Sequence, residues 1–385
     1  MEAYLDNGAT TRCYPEVADL IRKTLLEDYG NPSSLHRKGV EAEQYIRRTT
    51  EILSDILKVN EREIYYTSGG TESNNWALAG TAMAHRRTGG HFIISSVEHP
   101  AVSAPASALH DMGFDLTVLP VDREGRVHPE ELRQAIRKDT LLVSVMMVNN
   151  EIGTIEPVEE LARIVHETNP DTVFHVDAIQ AFGKCRILPG RMGIDMLSAS
   201  GHKIHGPKGV GFLYVNDGVR LRPLIYGGGQ QSGMRSGTDN VPGIAGMGLA
   251  ARMMYDHLEE NRDHMYALRK KLADGLSGLD QVVIHGVSDP LEAAPHILNA
   301  SFLKVRSEVL LHALEDRGIY VSAGSACSSH KRSGSPTLTA IRCPREEMES
   351  AVRFSFSDMT QPEEIDYTLD ALRELLPVLR RFTRH

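Results

Sequence analysis

The sequence predicts an α/β fold, a mostly parallel sheet covered by helices, followed by a smaller α+β domain. Three observations carry that expectation. Apolar runs of strand length recur at 63–67, 91–96, 116–121, 141–148, 173–178, 195–199 and 210–215, and helical patterns alternate with them through much of that course. Such alternation means parallel strands with helices on both faces. After Gly243 the pattern changes to long helical stretches and separated strands, and 385 residues are enough for two domains rather than one.

Taken in order, Glu63–Thr67 reads as a short strand, Ser68-Gly69-Gly70-Thr71-Glu72-Ser73-Asn74-Asn75 as a glycine-rich turn, and the residues toward His85 as a helix. Pro129–Lys138 and Pro157–Thr168 read as helices because a proline suits the first turn, where its missing N–H is no loss. Leu141–Val148, apolar with one serine inside, has the length of a buried strand and is far short of a membrane span. One long helical segment is expected after Gly243, through Arg262 to Leu276. Strands near 282–284, 297–303 and 351–356, with helices at 306–317 and 361–381, complete the α+β part. There is no internal repeat and no low-complexity segment.

The chemistry concentrates around Lys203, in Ser198-Ala-Ser-Gly-His-Lys-Ile-His-Gly-Pro-Lys-Gly209. A lysine amine can hold an aldehyde cofactor as a Schiff base, and Ser200 and His202 beside it can donate to a phosphate. Twenty-six residues upstream, His175-Val-Asp-Ala-Ile-Gln180 ends a strand-like run with Asp177, an acid able to keep a pyridine nitrogen protonated. The turn at Gly69-Gly70-Thr71, between a strand and a helix start, gathers backbone N–H groups, the positive helix end and a hydroxyl. That is a cradle for an anion. His99, in Val97-Glu-His-Pro-Ala-Val102 after a strand, stands where ligands of open α/β sheets bind and can stack on a flat ring; before a proline it is also an ordinary helix-start residue. Together these are the accessories that pyridoxal phosphate requires.

Two further residues stand out. Cys327 lies in Ser322–Ser335, so rich in glycine and serine that a surface loop is expected rather than core; His330, Lys331 and Arg332 nearby favour the thiolate. Arg353, in the alternating segment Ser350-Ala-Val-Arg-Phe-Ser-Phe356, can grip a carboxylate bidentately, with a surface salt bridge as the bland alternative.

Across essentially its whole length the chain resembles the cysteine desulfurases of the class V aminotransferase family. The motifs that carry the resemblance are Tyr4–Thr11, Gly30–Ser34, Thr67–Asn74, Glu98-His99, Asn149–Gly153, Asp177 with Gln180, Gly201-His202-Lys203, Arg235–Thr238, Gly324–Cys327 and Val352–Ser355, in family order. The resemblance implies a fold type I pyridoxal phosphate enzyme. Its large cofactor-binding domain would span 14–259, and its small domain 1–13 and 260–385. It implies that Cys327 attacks the sulfur of L-cysteine, becomes a persulfide and passes the sulfur to an acceptor protein serving iron-sulfur cluster, thio-cofactor or tRNA biosynthesis. Asn150 and Arg353 would hold substrate, Gln180 would meet the cofactor's phenolic oxygen, and Thr238 would reach the cofactor phosphate of the opposite subunit in a homodimer. Thr238 also has a plain reading, as a cap for the helix after Asn240. A selenocysteine lyase or class V aminotransferase is the alternative activity.

Composition fits. The chain is 41% apolar and 24% charged, as ordinary globular proteins are, and its net charge of −9 excludes nucleic acid as the main direct partner. The four cysteines, at 13, 185, 327 and 343, form no zinc spacing and no C-x-x-C pair, so no metal site and a reduced, cytoplasmic setting are expected. Cys343 is read as incidental rather than as a resolving thiol. The start of the chain carries neither a basic nor an apolar leader, and no membrane contact is expected. Among departures from the family, Gly8 stands where alanine is usual and Gln231 where an acid is commoner. Ile341-Arg342-Cys343-Pro344 has Arg342 at a possible glycine cap, at a cost of about 1 kcal/mol if that position needs positive φ.

Overall fold

A computed structural model describes residues 1–85, 90–289, 292–323 and 334–382. Its centre is a seven-stranded sheet of β2 (Ile64–Thr67), β3 (His91–Ser95), β4 (Asp115–Leu119), β5 (Thr140–Met146), β6 (Val173–Asp177), β7 (Met196–Ser200) and β8 (Gly211–Val215), in the order 2-8-7-6-5-3-4. All pairings are parallel except those of β8, which runs antiparallel to both β2 and β7. β3, β6, β7 and β8 are buried at every position, as two-sided coverage requires. The expected mostly parallel sheet is therefore present.

A second sheet is antiparallel, in the order β12 (Ser322–Ala323), β13 (Ala351–Ser355), β10 (Ile297–Phe302), β9 (Val282–His285). The amino-terminal strand β1 (Ala3–Tyr4) pairs in parallel with β11 (Ile319–Tyr320), and Ala3 and Leu5 are buried in a core with Leu298, Phe302, Val352, Phe354 and Leu372. The larger core holds the sheet and its helices, and it also draws in Ile297, Leu338, Ile341 and Ala351 from the later part of the chain.

Three expectations are corrected. The long helix after Gly243 is two, Val241–Asp256 and Leu258–Ser277, broken at His257 with φ −119° and ψ 22°. The helix from Pro129 stops at Ala135, because Ile136 turns extended with ψ 128°. The second proline helix begins at Val158 with Pro157 as its cap. Helices at Pro15–Leu26, Arg37–Leu57 and Pro100–Asp111 complete the coverage. Among the described residues no helix is long and apolar enough to cross a membrane.

Arg342 has φ 60°, so the suspected glycine position does demand the left-handed region. It follows the helix Pro336–Ala340. The Arg342 N–H donates to Thr339 O (3.0 Å) and the Cys343 N–H to Leu338 O (2.9 Å), the paired bonds of a Schellman ending that normally uses glycine.

Candidate active site

The strand ends bring the site together. Asp177 closes β6, Ser200 closes β7 with Lys203 one short turn beyond, and His99 follows β3; all lie at the carboxyl edge of the parallel strands. Between β2 and the helix Gly70–Ala84, Gly69 has φ 142°, a conformation that only glycine adopts without strain. A Cβ on Gly70 would come within 2.0 Å of Ile179 Cδ1, so the turn packs closely against the strand end that carries Asp177. Gly69, Gly70, Thr71, Ser200 and His202 line one cleft of about 430 Å³, with Thr10 and Lys208. The anion cradle read from sequence is thus a single concave surface.

Lys203 Nζ donates to the carbonyls of Gly8 (2.5 Å) and Ala9 (2.8 Å). Its pKa is pushed down to about 7, first by burial and then by Arg353 and Lys184, against the pull of Asp6 and Asp177. Lys184 is buried, its amine donates to the Lys203 carbonyl, and its own pKa is pushed down to about 8 by burial. Asp177 is buried, with Oδ1 accepting from the Ile179 N–H (3.0 Å) and Oδ2 from Asn74 Nδ2 (2.7 Å). Burial raises its pKa; these hydrogen bonds and the nearby His99 and Lys203 oppose that rise. His202 is pushed down to about 4 by burial and by Lys203, Lys208 and Lys184, so it is neutral at pH 7 and its ring meets Thr10 Oγ1 at 3.2 Å. His99 Nδ1 accepts from the Ala101 N–H (3.0 Å), capping the helix; desolvation by the surrounding groups, opposed by Asp177, lowers its pKa.

The substrate residues are more occupied than the sequence implied. Arg353 is only 9% exposed and not a surface ion pair: Nη2 meets Asp6 Oδ1 (2.8 Å), Nη1 donates to the Asn150 carbonyl (2.9 Å), and Nε is buried without a partner. Asn150 therefore offers Arg353 its backbone. Gln180 Nε2 donates to Gly8 O (2.9 Å), and its Oε1 faces His296 Nε2 (3.2 Å). The Thr238 cap reading is corrected, because Asn240 accepts from the Gly243 N–H (3.0 Å) and caps that helix itself. Thr238 is exposed and has no side-chain hydrogen bond among the described residues, while Arg235, three residues before it, is clamped to Glu72 at 2.9 and 3.2 Å. Cys327 lies outside the described residues, as do His330, Lys331 and Arg332.

Sequence reading missed Asn74, Lys184 and Asp6 as site residues. Asn74 stands four residues from Gly70, one helical turn along the same face, and that spacing was the available signal. Lys184 gave none, and Asp6 stood only within the Tyr4–Thr11 motif; folding brings them to Lys203 and Arg353.

These residues fit pyridoxal phosphate. Asp177 is a buried carboxylate whose hydrogen bonds all come from neutral donors, suited to a pyridinium, and the glycine turn with Thr71, Ser200 and His202 is a donor set for a phosphate ester. Lys203, three residues beyond Ser200, has an amine whose pKa is pushed down to about 7 and feels the Asp177 charge.

The comparisons agree with this geometry. Residues 3–368 match the family model described as aminotransferase class-V. The chain is 45% identical over 377 residues to a NifS/IcsS protein homolog of Lactobacillus delbrueckii subsp. bulgaricus, covering 97% of this chain and 96% of that protein. It is 41% identical over 380 residues to the cysteine desulfurase IscS of Methanosarcina thermophila, covering 99% and 93%. A solved structure titled NIFS-like protein superimposes with a TM-score of 0.93 at 39% identity, covering 98% of this chain and 100% of that one. By that match over residues 3–368, the chain belongs to the class V aminotransferase family.

Proposed function

We propose that this protein is a pyridoxal phosphate-dependent cysteine desulfurase that converts L-cysteine to L-alanine and hands the sulfur, as a persulfide on Cys327, to an acceptor protein. The observation that carries the reading is the meeting of an amine near neutrality, Lys203, with a buried acid, Asp177, beside an anion cradle, in a chain about 40% identical to proteins named cysteine desulfurase. When bound, the cofactor supplies an electron sink that makes the substrate's Cα–H and Cβ–S bonds labile.

The chain's own residues do the rest. Asp177 holds the ring nitrogen protonated, an interaction worth about 4 kcal/mol at 4 Å and an effective dielectric of 20. Gly70, Thr71, Ser200 and His202 would hold the phosphate, with Thr238 from the partner subunit of a homodimer as a further donor, and His99 would face the ring. Arg353, now paired with Asp6, would receive the substrate carboxylate beside Asn150, and Gln180, now on Gly8, would serve the cofactor's phenolic oxygen. Lys203 Nζ would take the Cα proton, a task for which a pKa of about 7 is suited. The Cys327 thiolate attacks the substrate sulfur: an S–S bond forms, the Cβ–S bond breaks and its electron pair is protonated at Cβ, and Lys203 returns the proton to Cα to give alanine. Reduced thiols support a cytoplasmic setting, and Cys13, Cys185 and Cys343 are all free.

The test is Cys327→Ser, assayed with cysteine and a reductant for alanine and sulfide together. The variant should keep its cofactor and its spectral response to cysteine while producing no persulfide or sulfide. Wild-type sulfide release from that variant would instead favour a selenocysteine lyase or an aminotransferase.

A further inference from the structure

We propose that His285, Cys343 and Glu347 form a binding site for a zinc-type divalent cation, outside the cofactor cleft. His285 ends β9, Cys343 is fixed by the Schellman turn at Arg342, and Glu347 lies in the helix Arg345–Glu349. One ligand atom from each lies within 4.8 Å of the other two. Cys343 Sγ is 3.6 Å from Glu347 Oε2, and His285 Nδ1 is 4.0 Å from that same oxygen.

The hydrogen bonds around His285 fix which nitrogen is bare. Ser301 Oγ donates its single proton to the Glu347 carbonyl (2.6 Å). The 2.6 Å contact between Ser301 Oγ and His285 Nε2 must then be donated by the ring. In the neutral imidazole this leaves Nδ1 with a lone pair. His285 is only 8% exposed, and Nδ1 has no hydrogen-bond partner among the described residues. Two acceptors, Nδ1 and Oε2, therefore face each other with only the Cys343 thiol proton between the three groups. An imidazole oriented through its far nitrogen, with its near nitrogen bare beside a thiol and a carboxylate, is how proteins prepare a metal ligand.

The donor set names the cation. Sulfur, imidazole nitrogen and carboxylate oxygen together suit zinc and its tetrahedral relatives rather than magnesium or calcium. Bonds of about 2.3 Å to sulfur and about 2.0 Å to nitrogen and oxygen put tetrahedral ligands roughly 3.3–3.6 Å apart. The sulfur–oxygen pair is already at that spacing, the nitrogen–oxygen pair must close by about 0.7 Å, and the sulfur–nitrogen pair, within 4.8 Å, by up to about 1.3 Å; solvent takes the fourth position. On binding, the metal–sulfur bond forms as the thiol proton leaves to water.

The location gives the site a consequence. Asn299 pairs with His285 on one side and with Arg353 on the other, which puts His285 and Arg353 on the same face of the sheet, two strand spacings or roughly 10 Å apart. A cation there would tie the segment leading into β13 to the edge strand β9.

The experiment titrates Co(II) into the holoenzyme and reads the visible bands of a tetrahedral site and the thiolate-to-cobalt charge-transfer band. One cobalt per chain, displaced by zinc, is expected. Cys343→Ser should abolish the charge-transfer band and weaken binding at least ten-fold, Glu347→Gln should weaken it similarly, and Cys327→Ser should leave the band intact. Zinc should also raise the melting temperature of the wild type and of Cys327→Ser but not of Cys343→Ser. A band that survives in Cys343→Ser and vanishes in Cys327→Ser, or a folded wild type that takes up no cobalt, overturns the proposal. Should Cys343→Ser fail to fold, retention of full affinity in folded Glu347→Gln overturns it equally. None of these readouts depends on desulfurase activity.

Discussion

Lys184→Gln should move the pH at which Lys203 captures its cofactor. With a pKa of about 7, Lys203 is about half neutral at pH 7, against about 3 in 10,000 for an ordinary lysine near 10.5. Only the neutral amine attacks an aldehyde, so cofactor capture by the cofactor-free chain should rise about ten-fold per pH unit below 7 and level off above it. Lys184 is one of the causes, because its buried amine sits on the Lys203 carbonyl. Two like charges at roughly 7 Å and an effective dielectric of 20 repel by about 2.4 kcal/mol, about 1.7 pH units. Lys184, itself near 8, is still cationic across the Lys203 transition, so the repulsion is expressed there. Glutamine keeps a donor for the carbonyl and removes the charge. The assay mixes cofactor-free protein with pyridoxal phosphate in a stopped-flow instrument from pH 5.5 to 10, with a small primary amine as reference. Inflections near 7 for the wild type and at about 8.7 for the variant, with equal plateaus, are expected. Identical inflections, or a wild-type inflection near 10, would refute the argument.

Three other outcomes are expected. Arg342→Gly should stabilise the chain by about 1 kcal/mol, because glycine occupies the left-handed Schellman position without strain; urea midpoints should rise, and the melting temperature by about 1–2 °C. Glu156 is buried with one carboxylate oxygen unpartnered, and burial pushes its pKa up to about 8. A folded value raised above the usual one gives stability that is complete below about pH 4.5 and lost as pH rises through 8. The advantage of Glu156→Gln in urea should therefore grow between pH 5 and 8 and then stay constant; a gap independent of pH would count against it. A heterodimer of one Lys203→Ala chain and one Thr238→Val chain should hold cofactor at about half occupancy if Thr238 serves the opposite subunit, because one site then carries both lesions and the other neither. Two singly damaged sites would return Thr238 to its own chain.

The sequence by itself determined the parallel sheet, because alternating apolar runs and helical patterns are local signals that do not depend on what they pack against. It also determined Lys203, Asp177, the Gly69-Gly70-Thr71 turn and His99 as one chemistry, since each sits at the end of a strand that a parallel sheet aligns along one edge. Arg342 was legible too, because only one backbone conformation makes a glycine there informative. The break at His257 was not, since a helix interrupted by one residue keeps an almost continuous apolar pattern. Tertiary structure alone decided that Asp6 occupies Arg353, 347 residues away, that the amine of Lys184 reaches the Lys203 carbonyl, and that Gln180 rests on Gly8. It alone brought His285 to Cys343 and Glu347, which spacing in the sequence had argued against as a metal site. Contacts of that kind have no period and no local propensity. They exist because two sheets and an amino-terminal arm close on one another, and a chain read residue by residue carries no record of that closure.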